Sequence, residues 1–199
     1  GVDFIIHSTT KFLNGHGTAI GGILLGTDVE FMNTKMTKHH RLLGGNGNPF
    51  DAFLLNTGVK TLALRMEKHC SNAEQVANFL EQHKSVEKVN YLGLECHEDF
   101  ALAKKQMKHA GAMMSFEVKG GFDNGKNFID NLNLSTHAVS LGTVDTLISH
   151  PASTTHAGVT DEVKKQSGIT PGLIRVSVGL ENVEDIITDI ENALNHCNI

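Results

Sequence analysis

The fold is decided by residues 1–17, which read GVDFIIHSTTKFLNGHG. Residues 1–7, which are rich in β-branched and other apolar side chains, predict a short buried β-strand. The polar run from Ser8 to Lys11 follows it, and a loop with two glycines comes next. A lysine directly after a buried strand lies at the border of a desolvated interior. That position favours the neutral amine, which forms a Schiff base with an aldehyde.

The hydroxyls before this lysine indicate a second chemical group. Ser8 and Thr10 lie two positions apart, so on an extended chain both hydroxyls face one side and both can contact one phosphate. Gly15 and Gly17 allow the backbone to approach a ligand closely. A lysine amine beside hydroxyls that hold a phosphate is the arrangement that pyridoxal 5'-phosphate (PLP) requires. The residues therefore point to a PLP site.

Three other interpretations of residues 8–17 are open. Ser8 and Lys11 match the S-x-x-K of serine β-lactamases and penicillin-binding proteins, but the S-D-N and K-T-G partners are absent. Their nucleophilic serine also opens a helix, whereas Ser8 is expected to end a strand. Gly15 and Gly17 lack the rest of the dinucleotide fingerprint, which disfavours NAD. The four residues alone also fit an ordinary polar strand end.

The rest of the chain alternates predicted strands and helices, which implies an α/β or α+β layer structure. A second buried strand is predicted over 19–26 and a helix over 29–43. Asn48 is a predicted N-cap with Pro49 at the first helical position, and residues 50–83 form either one bent helix or two. Further strands are predicted at 86–92, 112–118, 137–139, 147–150 and 173–178, and further helices at 99–109, 124–132 and 183–195.

Composition excludes several classes of protein. The 199 residues carry a net charge of −5, and the 17 Lys and Arg residues form no basic stripe, which disfavours nucleic-acid binding. No apolar run approaches the roughly 18 residues that cross a bilayer. Three cysteines without CxxC spacing disfavour a disulfide scaffold and a structural zinc site, and they indicate a reducing compartment. The twelve histidines show no metal-ligand spacing, so no metal is expected. His16, His137, His150 and His156 are interpreted either as loop residues or as residues that support a site without touching its ligand.

A longer comparison identifies a family. Residues 7–17 resemble the lysine segment of the Cys/Met metabolism family of PLP enzymes, the transsulfuration enzymes. The family comprises cystathionine synthases and lyases, methionine γ-lyase and homoserine-ester sulfhydrylases. The resemblance covers essentially the whole chain in the family's order, and it continues in NPFDA at 48–52, GVKTLALRM at 58–66, VSLG at 139–142, HPASTTH at 150–156 and GLIRVSVGLE at 172–181.

The resemblance implies roles for the cofactor residues. Lys11 would hold PLP covalently and later move protons, and Ser8 and Thr10 would contact the cofactor phosphate. The family also supplies an aspartate to the pyridine nitrogen and an aromatic ring stacked on PLP, both from upstream of the lysine. Neither has a counterpart here, since the only tyrosine, Tyr91, lies in the expected small domain. We therefore expect this chain to be the C-terminal portion of a longer protein.

The resemblance also implies residues that bind the substrate. Arg175 would clamp the α-carboxylate, for which the planar fork of arginine is suited. It is the only one of three arginines in an apolar, strand-like setting, and an internal salt bridge is its alternative role. Ser140 and Thr155 would lie near the same carboxylate, although capping of turns explains either residue nearly as well.

The implied fold is α/β, the PLP-dependent transferase fold type I. Residues 1–45 would complete the large PLP-binding domain, residues 46–83 would form a connecting helical segment, and residues 84–199 would form the small C-terminal α/β domain.

The implied activity is γ-elimination or γ-replacement on a sulfur-containing or activated four-carbon amino acid. A carbon–sulfur lyase acting on methionine or cystathionine is the first expectation. An O-acetyl- or O-succinylhomoserine sulfhydrylase and a cystathionine γ-synthase are the alternatives. The resemblance further implies a cytoplasmic homo-oligomer, a dimer of dimers. A non-catalytic assembly domain is a hypothesis of a different class, and the retention of Lys11 and Arg175 argues against it.

Overall fold

The structure is a computed structural model and describes residues 1–197. The chain divides into two compact units, residues 1–62 and residues 63–199. No helix in the described part of the chain has the length and hydropathy that a membrane span needs.

The first unit contains a two-stranded antiparallel sheet. Strand β1 (Phe4–Ser8) pairs with β2 (Gly22–Gly26), with Phe4 opposite Gly26 and Ser8 opposite Gly22. Both strands are present as predicted, but β2 begins at Gly22 rather than at residue 19. The prediction that β2 is buried is wrong within the described residues, since each of its residues is exposed or half-buried. Within the described residues, however, every residue of β1 is exposed, so the apolar run forms a strand that these residues do not bury.

The helices of the first unit follow local sequence signals. The helical stretch predicted over 29–43 is confirmed as α1 (Val29–Phe31), a π-helical segment and α2 (Thr37–Leu43). Helix α3 (Pro49–Val59) begins as predicted, with Asn48 accepting a hydrogen bond from the Phe50 N–H at 2.8 Å. A separate helix, α4 (Leu62–Gln82), comes next, so the chain over 50–83 forms two helices rather than one.

The second unit is built on a five-stranded mixed sheet of order β3-β4-β7-β6-β5. Its strands are antiparallel except for the β5–β6 pair. They comprise β3 (Val86–Asn90), β4 (Met113–Val118), β5 (Thr136–His137), β6 (Leu147–Ser149) and β7 (Leu173–Ser177). The helices of this unit after α4 are α5 (Phe100–Gln106), α6 (Gly121–Asp130), α7 (Asp161–Gln166) and α8 (Val183–Asn195).

The core of the second unit follows the two-residue period of its strands. In β4 the side chains of Met114, Phe116 and Val118 are buried, while the alternate residues are half-buried. The Phe116 ring meets the Phe128 ring of α6 edge to face, with centroids 5.4 Å apart. Helices α4 and α8 add fully buried aliphatic side chains, among them Val76, Leu80, Ile186 and Ile190.

The predicted elements of this unit are present, and one helix was missed. Helix α8 matches the prediction over 183–195, and the region over 147–150, left open between strand and loop, is strand β6. Helix α7 was not predicted, because its six residues read DEVKKQ and offer a single apolar residue to a periodicity argument.

Candidate active site

Lys11 lies on a short helical turn that begins where β1 ends. The turn spans Thr9–Leu13, and Lys11 breaks its regularity with φ −89° and ψ −141°. Thr9 is buried and donates its N–H to the Gly21 carbonyl at 2.9 Å, which ties the turn to the segment before β2. The Lys11 carbonyl accepts from the Gly15 N–H at 2.8 Å. The backbone of Lys11 is thus held on both sides, and its side chain is half-buried.

The two hydroxyls expected to contact a phosphate are more exposed than Thr9, which lies between them. Strand β1 ends at Ser8, so Thr10 lies in the turn and the alternation of an extended chain does not reach it. Thr10 Oγ1 accepts from the Gly21 N–H at 3.0 Å and faces the Gly21 carbonyl at 3.4 Å. Ser8 is exposed, and the described residues include no hydrogen-bond partner for its hydroxyl. Ser8 therefore keeps its full capacity for a ligand, and Thr10 keeps a proton that only a long contact engages.

The loop after Lys11 has a fixed conformation. Gly15 and Gly17 have φ of 75° and 64°, a region that favours glycine. Asn14 is buried and donates from Nδ2 to Thr18 Oγ1 at 3.2 Å. Helix α3 approaches so closely that a Cβ at Gly58 would collide with the Asn14 carbonyl oxygen. The helix and the loop leave no room between them at this point.

This donor set fits PLP. One primary amine follows, within three positions of the chain, two hydroxyls that retain hydrogen-bonding capacity, and these groups match an aldehyde and a phosphate. Among the described residues, no group of three or more His, Cys, Asp or Glu side chains is arranged to hold a metal ion.

Arg175 lies near the middle of β7, on the less covered face of the five-stranded sheet. Its Nη2 donates to the carbonyls of Val139 and Ser140 at 2.8 and 2.9 Å, while its Nε is buried without a partner. No carboxylate forms a salt bridge with Arg175 within the described chain. Burial lowers the pKa of its guanidinium from the usual value. A partly buried cation with an unpaired donor and no counter-charge has the chemistry that binds an anion.

Ser140 and Thr155 occupy different positions relative to Arg175. Ser140 contributes its backbone carbonyl to Arg175 and is half-buried. Thr155 is exposed, and its hydroxyl pairs with His156 Nδ1 at 2.8 Å. The structure records a contact with Arg175 for Ser140 alone of these two residues. The residues predicted for PLP belong to the first unit and those predicted for the substrate to the second.

Two serines beside Arg175 were missed by the sequence analysis. Ser115 of β4 and Ser149 of β6 both pair with Arg175 in the strand register, so the three side chains form a row on one face. Ser149 Oγ is buried without a hydrogen-bond partner. No sequence signal marks either serine, because only the register of the strands places them beside the arginine.

The hydrogen bonds of His150 show that this histidine has a structural role. It is fully buried, with Nδ1 2.9 Å from Ser153 Oγ and Nε2 2.7 Å from the Pro171 carbonyl. Burial lowers the pKa of His150, and the hydrogen bond to Pro171 opposes that shift only in part. The ring therefore joins two loops of the second unit.

Comparison with known proteins gives one consistent result. A sequence model of the family described as "Cys/Met metabolism PLP-dependent enzyme" matches residues 1–195. The L-methionine gamma-lyase of Fusobacterium nucleatum subsp. nucleatum is 50% identical over 199 residues, covering 98% of this chain and 49% of that protein. The O-acetyl-L-homoserine sulfhydrylase of Leptospira meyeri is 38% identical, covering 98% of this chain and 53% of that protein.

The solved structures agree with the sequences. Cystathionine gamma synthase from Xanthomonas oryzae pv. oryzae, in complex with aminoacrylate and cysteine, superposes with a TM-score of 0.93 at 43% identity. The match covers 98% of this chain and 50% of that one. The chain thus spans about half the length of the relatives it matches.

Proposed function

The chain belongs to the Cys/Met metabolism PLP-dependent enzyme family, and from this premise we propose that it serves γ-elimination or γ-replacement on a sulfur-containing or activated four-carbon amino acid. Its fold is the α/β fold of the PLP-dependent cystathionine γ-synthases and γ-lyases. The observation that carries the proposal is Arg175, a partly buried guanidinium with an unpaired donor and no acidic partner among the described residues. An amino-acid α-carboxylate supplies the anion that this arginine lacks.

The cofactor of the family is PLP, and residues of the first unit are suited to hold it. Lys11 would bind it covalently through Nζ, and Ser8 and Thr10 would donate hydroxyl protons to its phosphate. When bound, PLP supplies an electron sink for charge that develops at the substrate α-carbon. The close packing of Gly58 on Asn14 supports this role, because it holds the loop that follows Lys11 in one conformation.

The remaining steps belong to side chains of this chain. Arg175 binds the α-carboxylate and orients the substrate, with its Nη2 anchored on two carbonyls. Lys11 Nζ, as a neutral amine, would take the proton from the substrate Cα, release that proton so that it is neutral again, and then take a proton from Cβ. The electron pair left at Cβ would form a Cβ–Cγ double bond as the γ-substituent leaves with its bonding electrons and accepts a proton. A lysine amine that alternates between covalent attachment and proton transfer is a recognised form of nucleophilic and acid–base catalysis.

Lyase action is proposed ahead of replacement because of the sequence comparisons. The L-methionine gamma-lyases of F. nucleatum and Porphyromonas gingivalis are 50% and 51% identical to this chain, against 38% for the L. meyeri sulfhydrylase. The assembled enzyme should be offered methionine, cystathionine, or O-acetylhomoserine with sulfide. Release of a 2-oxo acid and ammonia from methionine supports the lyase, whereas homocysteine formed from O-acetylhomoserine and sulfide alone would favour the sulfhydrylase. An absence of product from all three would refute the proposal.

We also propose a domain assignment, an assembly and a location. Residues 1–45 would belong to the large PLP-binding domain, and residues 84–199 would form the small domain. Residues 46–83 would form the helical segment that connects the two domains. Exposed apolar side chains of the first unit, including Ile6 and Leu43, support a homo-oligomer, which light scattering after size-exclusion chromatography would measure. The free Cys70, Cys96 and Cys197 support a reducing, cytoplasmic location.

A further inference from the structure

Two side chains of β7 hold the loop between β5 and β6 at two neighbouring points. Near the start of the loop, Arg175 Nη2 donates to the carbonyls of Val139 and Ser140 at 2.8 and 2.9 Å. In the middle of the loop, the Gly142 N–H donates to Ser177 Oγ at 2.8 Å. The loop is therefore fixed relative to the strand that carries the proposed carboxylate-binding arginine.

Of the two residues in the Ser177–Gly142 hydrogen bond, Ser177 is the one held by the sheet. Its side chain is fully buried, and its backbone pairs with Met113 of β4 and with Leu147 of β6. Ser177 and Arg175 lie two positions apart on one strand, so both side chains lie on the same face of the sheet. Gly142 has φ 75°, which lets the loop turn at the point where Ser177 holds it.

We propose that Ser177 is a positioning residue for substrate recognition and acts through Arg175. By accepting the Gly142 N–H, Ser177 keeps the loop where the Val139 and Ser140 carbonyls hold the guanidinium. The unpaired donors of Arg175 are thereby aimed at the substrate α-carboxylate. This inference rests on the proposed function.

The physical reason lies in the length of the arginine side chain. Its stem has many rotamers, so two carbonyl contacts at Nη2 determine where the fork points. Without the Ser177 hydroxyl, the buried Gly142 N–H is left unpaired, and the loop relieves that cost by moving. The carbonyls of Val139 and Ser140 move with it, and a bidentate contact is sensitive to small displacements.

The test compares two ligands that differ only in the carboxylate. Methionine and 3-(methylthio)propylamine are titrated into the assembled, PLP-loaded enzyme, and binding is followed by the change in cofactor absorption. We expect Ser177→Ala to weaken methionine binding roughly tenfold and to leave amine binding within about twofold. Ser177→Thr, which keeps the hydroxyl, should retain methionine binding.

A matched control and a double variant separate positioning from general destabilisation. Ser85→Ala makes the same chemical change at a buried serine in the turn before β3, and it should affect neither ligand. Because Ser177 acts through Arg175, adding Ser177→Ala to Arg175→Lys should weaken methionine binding little further.

Three results would overturn the inference: unchanged methionine binding in Ser177→Ala, an equal loss for both ligands, or additive losses in the double variant. Should Ser177→Ala not fold, Ser177→Cys keeps the volume but accepts weakly, and it is measured by the same criteria. Failure of the proposed function would look different, because the unmodified enzyme would then form no product from methionine, from cystathionine, or from O-acetylhomoserine with sulfide.

Discussion

Lys11 and Arg175 are the two side chains on which the proposed chemistry depends, and their settings differ. Lys11 lies on an irregular turn with its backbone held by hydrogen bonds from the loop. Arg175 lies within a five-stranded sheet, with strands on both sides. Substitution of each residue should therefore affect function through a different step.

Lys11→Ala should abolish turnover in the assembled enzyme without unfolding it. Loss of a covalent catalyst typically costs several orders of magnitude in rate, whereas a half-buried lysine contributes little to stability. Turnover and thermal melting measured side by side would check this. Near-normal turnover in the variant would contradict the assignment of Lys11.

Arg175→Lys should lower kcat/KM, and the ratio of the two kcat/KM values should correspond to a loss of about 2–4 kcal/mol of transition-state stabilisation. The reason is that a point-charge ammonium does not reproduce the bidentate fork. The loss should appear with every amino-acid substrate, since all share the α-carboxylate. Steady-state kinetics with two substrates that differ in the side chain would test it. A loss confined to one substrate would mean that Arg175 contacts a side chain instead.

Asp189 gives a prediction about stability and pH. Its buried carboxylate accepts from the N–H groups of Asn133, Leu134 and Ser135 at 2.7 to 3.0 Å. Burial alone would raise the pKa of Asp189, but these donors outweigh it and hold the pKa below its ordinary value. The carboxylate therefore stabilises the fold above roughly pH 4, and the contribution is lost as the pH falls through the native pKa.

Asp189→Asn should accordingly lower the free energy of unfolding by about 2 kcal/mol at pH 7 and by less at pH 3. Glu191→Gln removes the same charge from an exposed position on the same helix and should change little at either pH. Urea denaturation at both pH values would measure the effect. A loss of equal size at pH 7 and pH 3 would show that the charge is not the cause.

At the scale of elements, the packing of α3 on the loop after Lys11 makes a prediction. Alanine normally favours a helix over glycine by up to about 1 kcal/mol, but a Cβ at Gly58 would collide with the Asn14 carbonyl. Gly58→Ala should therefore destabilise the protein and weaken PLP retention, because Asn14 lies three positions after Lys11. Gly47→Ala is the control, since a Cβ there meets nothing within 4 Å.

Thermal melting and PLP content after gel filtration would measure both glycine variants. If Gly58→Ala retained PLP and stability as well as Gly47→Ala does, the close approach of α3 would not matter to the site.

At the scale of the whole molecule, exposed apolar surface decides what the 199 residues do alone. Every residue of β1 is exposed, and Ile6, Ile20 and Leu43 are each at least 79% exposed. A short sheet with an apolar face and unpaired edges is prone to association. Of the contacts that PLP needs, only those of Ser8, Thr10 and Lys11 are expected from this chain.

We expect the 199-residue chain, expressed by itself, to bind PLP weakly and to associate or precipitate. PLP fluorescence titration and light scattering on the purified chain would test this. Tight, stoichiometric binding by a monomer would show that these residues form a complete cofactor site.

Local sequence patterns were sufficient to predict most of the helices and strands of this molecule and to identify its family. The N-cap at Asn48 and the extent of α8 each depend on a few neighbouring residues. The motif around Lys11 and the stretch around Arg175 likewise identified the family, because they are contiguous in the chain. Interactions between near neighbours have one dominant solution, which a sequence pattern reveals.

Tertiary structure alone decided which distant residues meet. The Gly142–Ser177 hydrogen bond joins residues 35 positions apart, and the row Ser115–Arg175–Ser149 exists only because of the strand register. The collision that forbids a Cβ at Gly58 depends on where α3 packs against Asn14. A shift of one residue in a strand would turn each side chain to the other face, and nothing in the local sequence specifies that register.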